Sequence, residues 1–207
     1  MIFEDMQLIT AGLDSTGTLV VTSDNAGKSM IEGAEMELSW LPSRDWLITL
    51  SYSNNNYKFL DFDDVDLLTL GLTGENKIVD RTDEQFPVSP EETAALDIQY
   101  TQDTPIGTFV SRVDGSYTGE TYMGCDDGAW TAQQKDSDTA NADAYLLVDA
   151  RFTWRNNDND LTISLFGKNI TDERFLIGSV AIGDSLGTFT QTLGEPRFYG
   201  VEIRKTF

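Results

Sequence analysis

The sequence contains no histidine and a single cysteine, Cys125. The first absence removes the commonest general base and the commonest metal ligand. The second excludes an internal disulfide. With no His or Lys nearby to activate it, Cys125 reads as a passive loop residue. Basic residues are scarce: 14 Lys and Arg stand against 35 Asp and Glu, a formal charge of -21. Such a chain repels nucleic acid, so no nucleic-acid partner is expected. There is no apolar run near the length of a membrane helix. The opening MIFEDMQLIT has no basic segment, and it places Glu4 and Asp5 where a signal peptide needs an apolar centre. The sequence also lacks a Gly-x-Ser-x-Gly elbow, and nothing in the spacing singles out two carboxylates as a glycosidase pair. No enzyme activity and no cofactor are expected. Taken alone, these absences describe an ordinary soluble chain.

What the sequence has contradicts that picture. Helix signals are few, while strand signals recur and alternate with a period of two. A short strand is expected over 1–10. From 28 to 41, Ala34, Met36, Leu38 and Trp40 share one face, and Glu35, Glu37 and Ser39 the other. Further strands are expected over 46–59, 92–102, 108–122, 144–155, 161–169 and 197–207, each with one apolar face. The connections alternate. PSRD (42–45), DTPIG (103–107) and NNDND (156–160) are tight turns. Acidic loops over about 61–90 and 123–142, and a Gly-rich loop before the last strand, are long. About eight strands with short turns at one end and long loops at the other predict an all-β fold: an antiparallel, up-and-down transmembrane β-barrel segment with short periplasmic turns and long extracellular loops.

The two faces support a membrane environment. Trp40 and Trp46 flank the first tight turn and Trp154 the third, at one level, as in the aromatic girdle of membrane barrels. The polar parity carries Glu35, Glu37, Asp97, Arg112, Asp114, Asp149, Arg151, Glu202 and Arg204, which are expected to face the lumen. A Lys or Arg on the lipid face at mid-bilayer costs roughly 2–4 kcal/mol, and the mid-strand basic residues avoid that parity. Lys205 is the exception, two residues from the end, where its stem can snorkel to water.

Three stretches carry a family resemblance: IEGAEMELSWLPSRDWLITLSYS (31–53), GKNITDERF (167–175) and GEPRFYGVEIRKTF (194–207). Asn169, Ile170, Thr171, Asp172, Arg174 and Phe175 resemble the penultimate-strand motif of TonB-dependent outer-membrane receptors. Pro196, Arg197, Tyr199 and the terminal Phe207 resemble their closing strand. The resemblance spans nearly the whole chain, with Lys205 standing where an apolar or aromatic residue is usual. It implies that Tyr199, Val201, Ile203 and Phe207 form the signal read by the barrel assembly machinery. It also implies location in the outer membrane, in contact with its lipid. On this reading 1–207 is the C-terminal part of a receptor barrel, without the plug domain, TonB-contacting segment and signal peptide. The function implied is TonB-dependent uptake of a scarce extracellular ligand such as a ferric siderophore. TonB would act only through the missing plug, so the segment alone would not couple energy.

Other readings of the residues remain open. One is a free-standing eight-stranded outer-membrane barrel with a structural or adhesive role. Another is a soluble, sandwich-like or lipocalin-like binding protein. Asp61, Asp63, Asp64 and Asp66 form a weak calcium candidate that lacks the Gly and distal Glu of a calcium loop. A solvated acidic loop is the plainer reading of them, and of CDDG (125–128). The lumen-facing charges read first as a structural ion-pair lining. Asn169 and Asp172 are expected to end a strand and shape its turn.

Overall fold

A computed structural model describes residues 1–4, 7–25, 27–65, 69–70, 73–82, 85–123, 141–181 and 189–207. Strand β1 (Ile2–Phe3) leads through a ribbon, β2 (Gln7–Leu13) and β3 (Leu19–Asn25), to β4 (Lys28–Trp40). A tight turn returns the chain as β5 (Trp46–Asp61). The ribbon β6 (Asp63–Val65) and β7 (Ile78–Asp80) precedes β8 (Glu92–Thr104), and a two-residue turn leads to β9 (Gly107–Thr118). Short strands β10 (Thr121–Tyr122) and β11 (Asn141–Ala142) precede β12 (Tyr145–Arg155), which turns into β13 (Leu161–Lys168). The ribbon β14 (Leu176–Ala181) and β15 (Phe189–Leu193) precedes β16 (Phe198–Lys205).

Eight of these strands form one antiparallel meander in the order β1-β4-β5-β8-β9-β12-β13-β16, and the other eight form four separate two-stranded ribbons. Each ribbon decorates a connection at one end of the sheet. The opposite end carries only the tight turns. β1 and β16 are the outer strands, so among the described residues the sheet is open. No helix among them is long and apolar enough to cross a membrane, which leaves strands as the means of crossing.

The turns form for local reasons. The Asn156 side chain accepts the amides of Asp160 (3.1 Å) and Leu161 (3.0 Å), and Asn159 takes the left-handed conformation at φ 55°, which Asn tolerates well. In the 105–106 turn the Thr104 hydroxyl donates to the Gly107 carbonyl at 2.7 Å.

Two expectations need correction. The strand expected over 1–10 is split: only Ile2 and Phe3 join the sheet, opposite Met30 and Ser29, while Gln7–Leu13 pairs with Leu19–Asn25. The cause is a short-range hairpin. Asp14 Oδ1 accepts the amides of Thr16 (2.8 Å) and Thr18 (2.9 Å), with Gly17 at φ 78°. Closing so small a loop costs less entropy than pairing with a distant strand. The long connections are also not plain loops, since each carries paired strands. Their pairings are short, and the period-two signal in them is diluted by Asp, Gly and Thr.

Candidate functional site

The register aligns the apolar parity into continuous rows. Trp40, Ile48, Ile98, Val113, Ala150, Gly167 and Tyr199 lie side by side across seven strands. The next row toward the turns runs Trp46, Tyr100, Ser111, Phe152, Leu165 and Val201. This face is uncovered: Leu165 is 52% exposed and Ile203 67%. An apolar surface this continuous marks contact with something other than water. Trp40, Trp46 and Trp154 all lie on it at the tight-turn end. Trp46 packs against Tyr100 at 4.8 Å, and Trp154 donates its indole N–H to the Ile106 carbonyl at 3.1 Å. Tyr199, Val201 and Ile203 are exposed on the outer strand, as is Phe207 beyond it.

The polar parity forms a charged wall. Asp97 lies opposite Asp114, and Asp114 opposite Asp149. Like charges directly opposite one another repel. Arg112, one row away, donates from Nε to Asp97 and, at 2.9 Å, to Asp114. Asp149 is satisfied differently, by the backbone N–H of Asn169 at 2.9 Å. Arg151 pairs with Glu202 and lies 5.6 Å from the centre of the Phe166 ring. Arg204 reaches the same Glu202 at 3.3 Å. Glu35 and Glu37 stand opposite Ser53 and Ser51, on the same wall and with no ion pair among the described residues.

The structure brings the two C-terminal motifs together. Asn169 is 5% exposed, at φ 47°. Its side chain donates to the carbonyls of Glu173 (2.8 Å) and Glu195 (3.2 Å) and accepts the Glu173 amide (2.8 Å). It thus pins the turn after β13 to the segment that leads into β16. Asp172 and Arg197 form an ion pair across the same junction at 3.3 Å. Phe175 packs on Tyr145 at 4.6 Å. Thr171, Arg174 and Pro196 remain exposed around this clasp.

Several contributors carry little sequence signal. Glu173 and Glu195 act through their backbones, so their side chains announce nothing. Gly167 and Gly200 face aromatic rings: a Cβ on Gly167 would stand 2.7 Å from the Tyr199 ring, and one on Gly200 2.3 Å from Phe166. The two strands therefore exchange ring for glycine on both faces at adjacent positions. Asp160 was legible in principle. Lys205, the one basic residue of β16 on the apolar parity, pairs with Asp160 in the tight turn at 2.5 Å. That contact holds the Asp160 carboxyl below the usual carboxylate range, with Asn156 adding a second hydrogen bond.

The calcium candidate gains no support from the geometry. Asp61 is exposed at the end of β5, and Asp63 lies opposite Asp80 in the β6–β7 ribbon. The Asp64 side chain and all of Asp66 lie outside the described residues. Among the described residues no three His, Cys, Asp or Glu side chains converge as a metal site. Cys125 and the CDDG stretch also lie outside the described residues.

The family model described as "TonB dependent receptor-like, beta-barrel" matches residues 3–170. No curated protein matches the sequence. Among solved structures, the ferric yersiniabactin uptake receptor FyuA from Yersinia pestis is 19% identical, with a TM-score of 0.71, over 100% of this chain and 26% of that one. The ferric-catecholate import receptor Fiu from E. coli K12 is 21% identical, with a TM-score of 0.61, over 95% of this chain and 23% of that one. The copper transporter OprC is 12% identical, with a TM-score of 0.61, over 100% and 27%. The chain thus spans about a quarter of the length of the solved structures it matches.

Proposed function

Because the chain belongs to the TonB-dependent receptor-like β-barrel family, we propose that it supplies part of the wall of an outer-membrane receptor that imports a scarce extracellular ligand, with a ferric siderophore as first candidate. The observation that carries this reading is the open eight-stranded meander, with its apolar face, charged face and ribbon-bearing end. An open sheet edge is costly in lipid, where unpaired backbone groups have no water to bond. The edges of β1 and β16 are therefore closed by further strands of the receptor. FyuA and Fiu, named for ferric-ligand uptake, contribute the ligand class. OprC, named as a copper transporter, shows that the same architecture serves other cargo.

In this reading the roles divide by region. The apolar face, with Trp40, Trp46 and Trp154 at one interface, meets outer-membrane lipid. Tyr199, Val201, Ile203 and Phe207 present the closing strand to the barrel assembly machinery. The charged wall from Glu35 to Arg204 lines the lumen. The ribbons stand outside and meet the ligand first. Energy arrives from TonB through a plug carried by the rest of the receptor, so this wall segment does not couple energy by itself.

The test is genetic. The region coding for this chain is deleted in its host, and growth is measured in iron-chelated medium with single siderophores supplied. Loss of growth on at least one siderophore, restored by excess iron salt, is the expected result. Unchanged growth on every siderophore overturns the iron reading.

A further inference from the structure

We propose that the notch at the ribbon end of β5, β8 and β9 is a binding site for a ligand that presents a cationic group flanked by aromatic or apolar surface. The proposal rests on the receptor reading above and narrows its ligand class.

The notch arises from unequal strand lengths. β8 begins at Glu92, opposite Asn54, whereas β5 runs on to Asp61. The resulting cavity is about 490 Å³, within the range of small-molecule sites. Both of its walls are tied to its floor. The Asn55 amide bonds the Glu91 carbonyl at 2.8 Å, and the Gly119 amide bonds the Glu92 carbonyl at 2.8 Å. Its aromatic surface comes from Tyr57, Phe86, Tyr117 and Tyr122. Phe86 is held in place by stacking on Phe59 at 4.2 Å and on Tyr57 at 5.7 Å.

The charge of the lining decides the ligand class. Three carboxylates line the cavity, Glu91, Glu92 and Glu120, and among the described residues no Lys or Arg does. Their side-chain hydrogen bonds come from neutral donors. Glu92 accepts from the Tyr52 hydroxyl (3.1 Å) and Asn54 Nδ2 (3.3 Å). Glu120 accepts from Asn141 Nδ2 (3.2 Å). Neutral donors satisfy lone pairs and leave the charge uncompensated. A concave site with three carboxylates, unpaired with any cation among the described residues, and several ring faces attracts a cation through both. It disfavours a ligand whose exposed surface is anionic by the same Coulomb argument.

The test is calorimetric titration of the whole receptor that carries this wall segment, purified in detergent at low salt, with benzyltrimethylammonium and with phenylacetate, an anion of similar size. The cation is expected to bind at least about tenfold more tightly than the anion, as opposite charge beside three carboxylates implies. Glu91→Gln and Glu120→Gln should each weaken the cation about fivefold, and Tyr57→Leu about threefold. Glu37→Gln, on the charged wall and outside the cavity, should change nothing. Equal binding of the anion, no binding of the cation, or insensitivity to the Glu91 and Glu120 variants overturns the proposal. The comparison of cation with anion on the unaltered receptor decides the matter even where a variant fails to fold. If the probes fail while siderophore-dependent growth stands, only the ligand class is lost. If growth shows no siderophore dependence while the cation binds, the iron reading is lost and the site remains.

Discussion

The two faces of the one sheet are built by different physics. On the apolar face neighbouring rows consist of Leu, Ile, Val, Phe, Tyr and Trp, with small residues between them. Stability there comes from dispersion and from the absence of groups that need water. On the other face the same strands carry Asp97, Arg112, Asp114, Arg151 and Glu202, joined into ion pairs that are only half shielded. Surface-like ion pairs contribute little each, so that wall sets charge and shape more than stability. A substitution should thus be judged first by its face and only then by its chemistry. Lys205 tests the rule from the other side. It is a cation on the apolar parity, placed at the turn end, where Asp160 meets it.

The sharpest way to break this comparison is to put a cation in the middle of the apolar face. Leu165 sits between Phe152 and Val201. Leu165→Arg should cost about 2–4 kcal/mol, seen as a lower urea midpoint for the detergent-folded protein followed by tryptophan fluorescence. Ser51→Arg, half-buried on the charged wall and opposite Glu37, is the matched control for chemistry without the face. An equal cost at both positions would remove the distinction between the faces.

The clasp joining the two C-terminal motifs should come next. Asn169→Ala leaves the Glu173 amide and the carbonyls of Glu173 and Glu195 without that partner, at a cost of about 1–3 kcal/mol. Asn169→Asp keeps the acceptor and should lose less. Equal losses for the two variants in the same titration would show that the acceptor contributes nothing.

The ring-for-glycine exchange between β13 and β16 predicts an overpacking effect. Gly200→Ala places a methyl against Phe166 and should cost about 1–3 kcal/mol. Combining it with Phe166→Ala should cost less than the sum of the two single changes. Strict additivity in that double-mutant cycle would show that the ring and the glycine are not coupled.

The smallest effect belongs to the exposed turn. Asp160 has a lowered folded-state pKa, so its contribution is present above the ordinary carboxylate pKa and is lost as pH falls through the lowered value. The stability difference between the native chain and Asp160→Asn should shrink as the medium is acidified across that window. A difference independent of pH there would mean that the pair with Lys205 does not form.

Much of the sheet was legible because strand alternation is a property of neighbouring residues. The parity of Met36, Leu38 and Trp40 against Glu35 and Glu37 needs no partner to be read, and Asn156, Asp160 and Pro105 mark turns by their own chemistry. The ribbons were not legible, because Gln7–Leu13 carries the same kind of pattern whether it pairs with a distant strand or with Leu19–Asn25. The clasp was half legible. Asn169 and Asp172 stood out as turn residues, but their partners are two backbones and Arg197, which lies 25 positions beyond Asp172.

By itself, then, the sequence determined which residues share a face, where the tight turns fall, and that one face would not be covered by water. Each of these follows from side-chain polarity and from the two-residue period of an extended chain. Only the tertiary structure decided the register. Register places Arg112 between two aspartates, Asp160 under Lys205, Tyr199 over Gly167 and three carboxylates around one notch. A shift of two residues would preserve every face and destroy all of those contacts, which is why no pattern along the chain could have announced them.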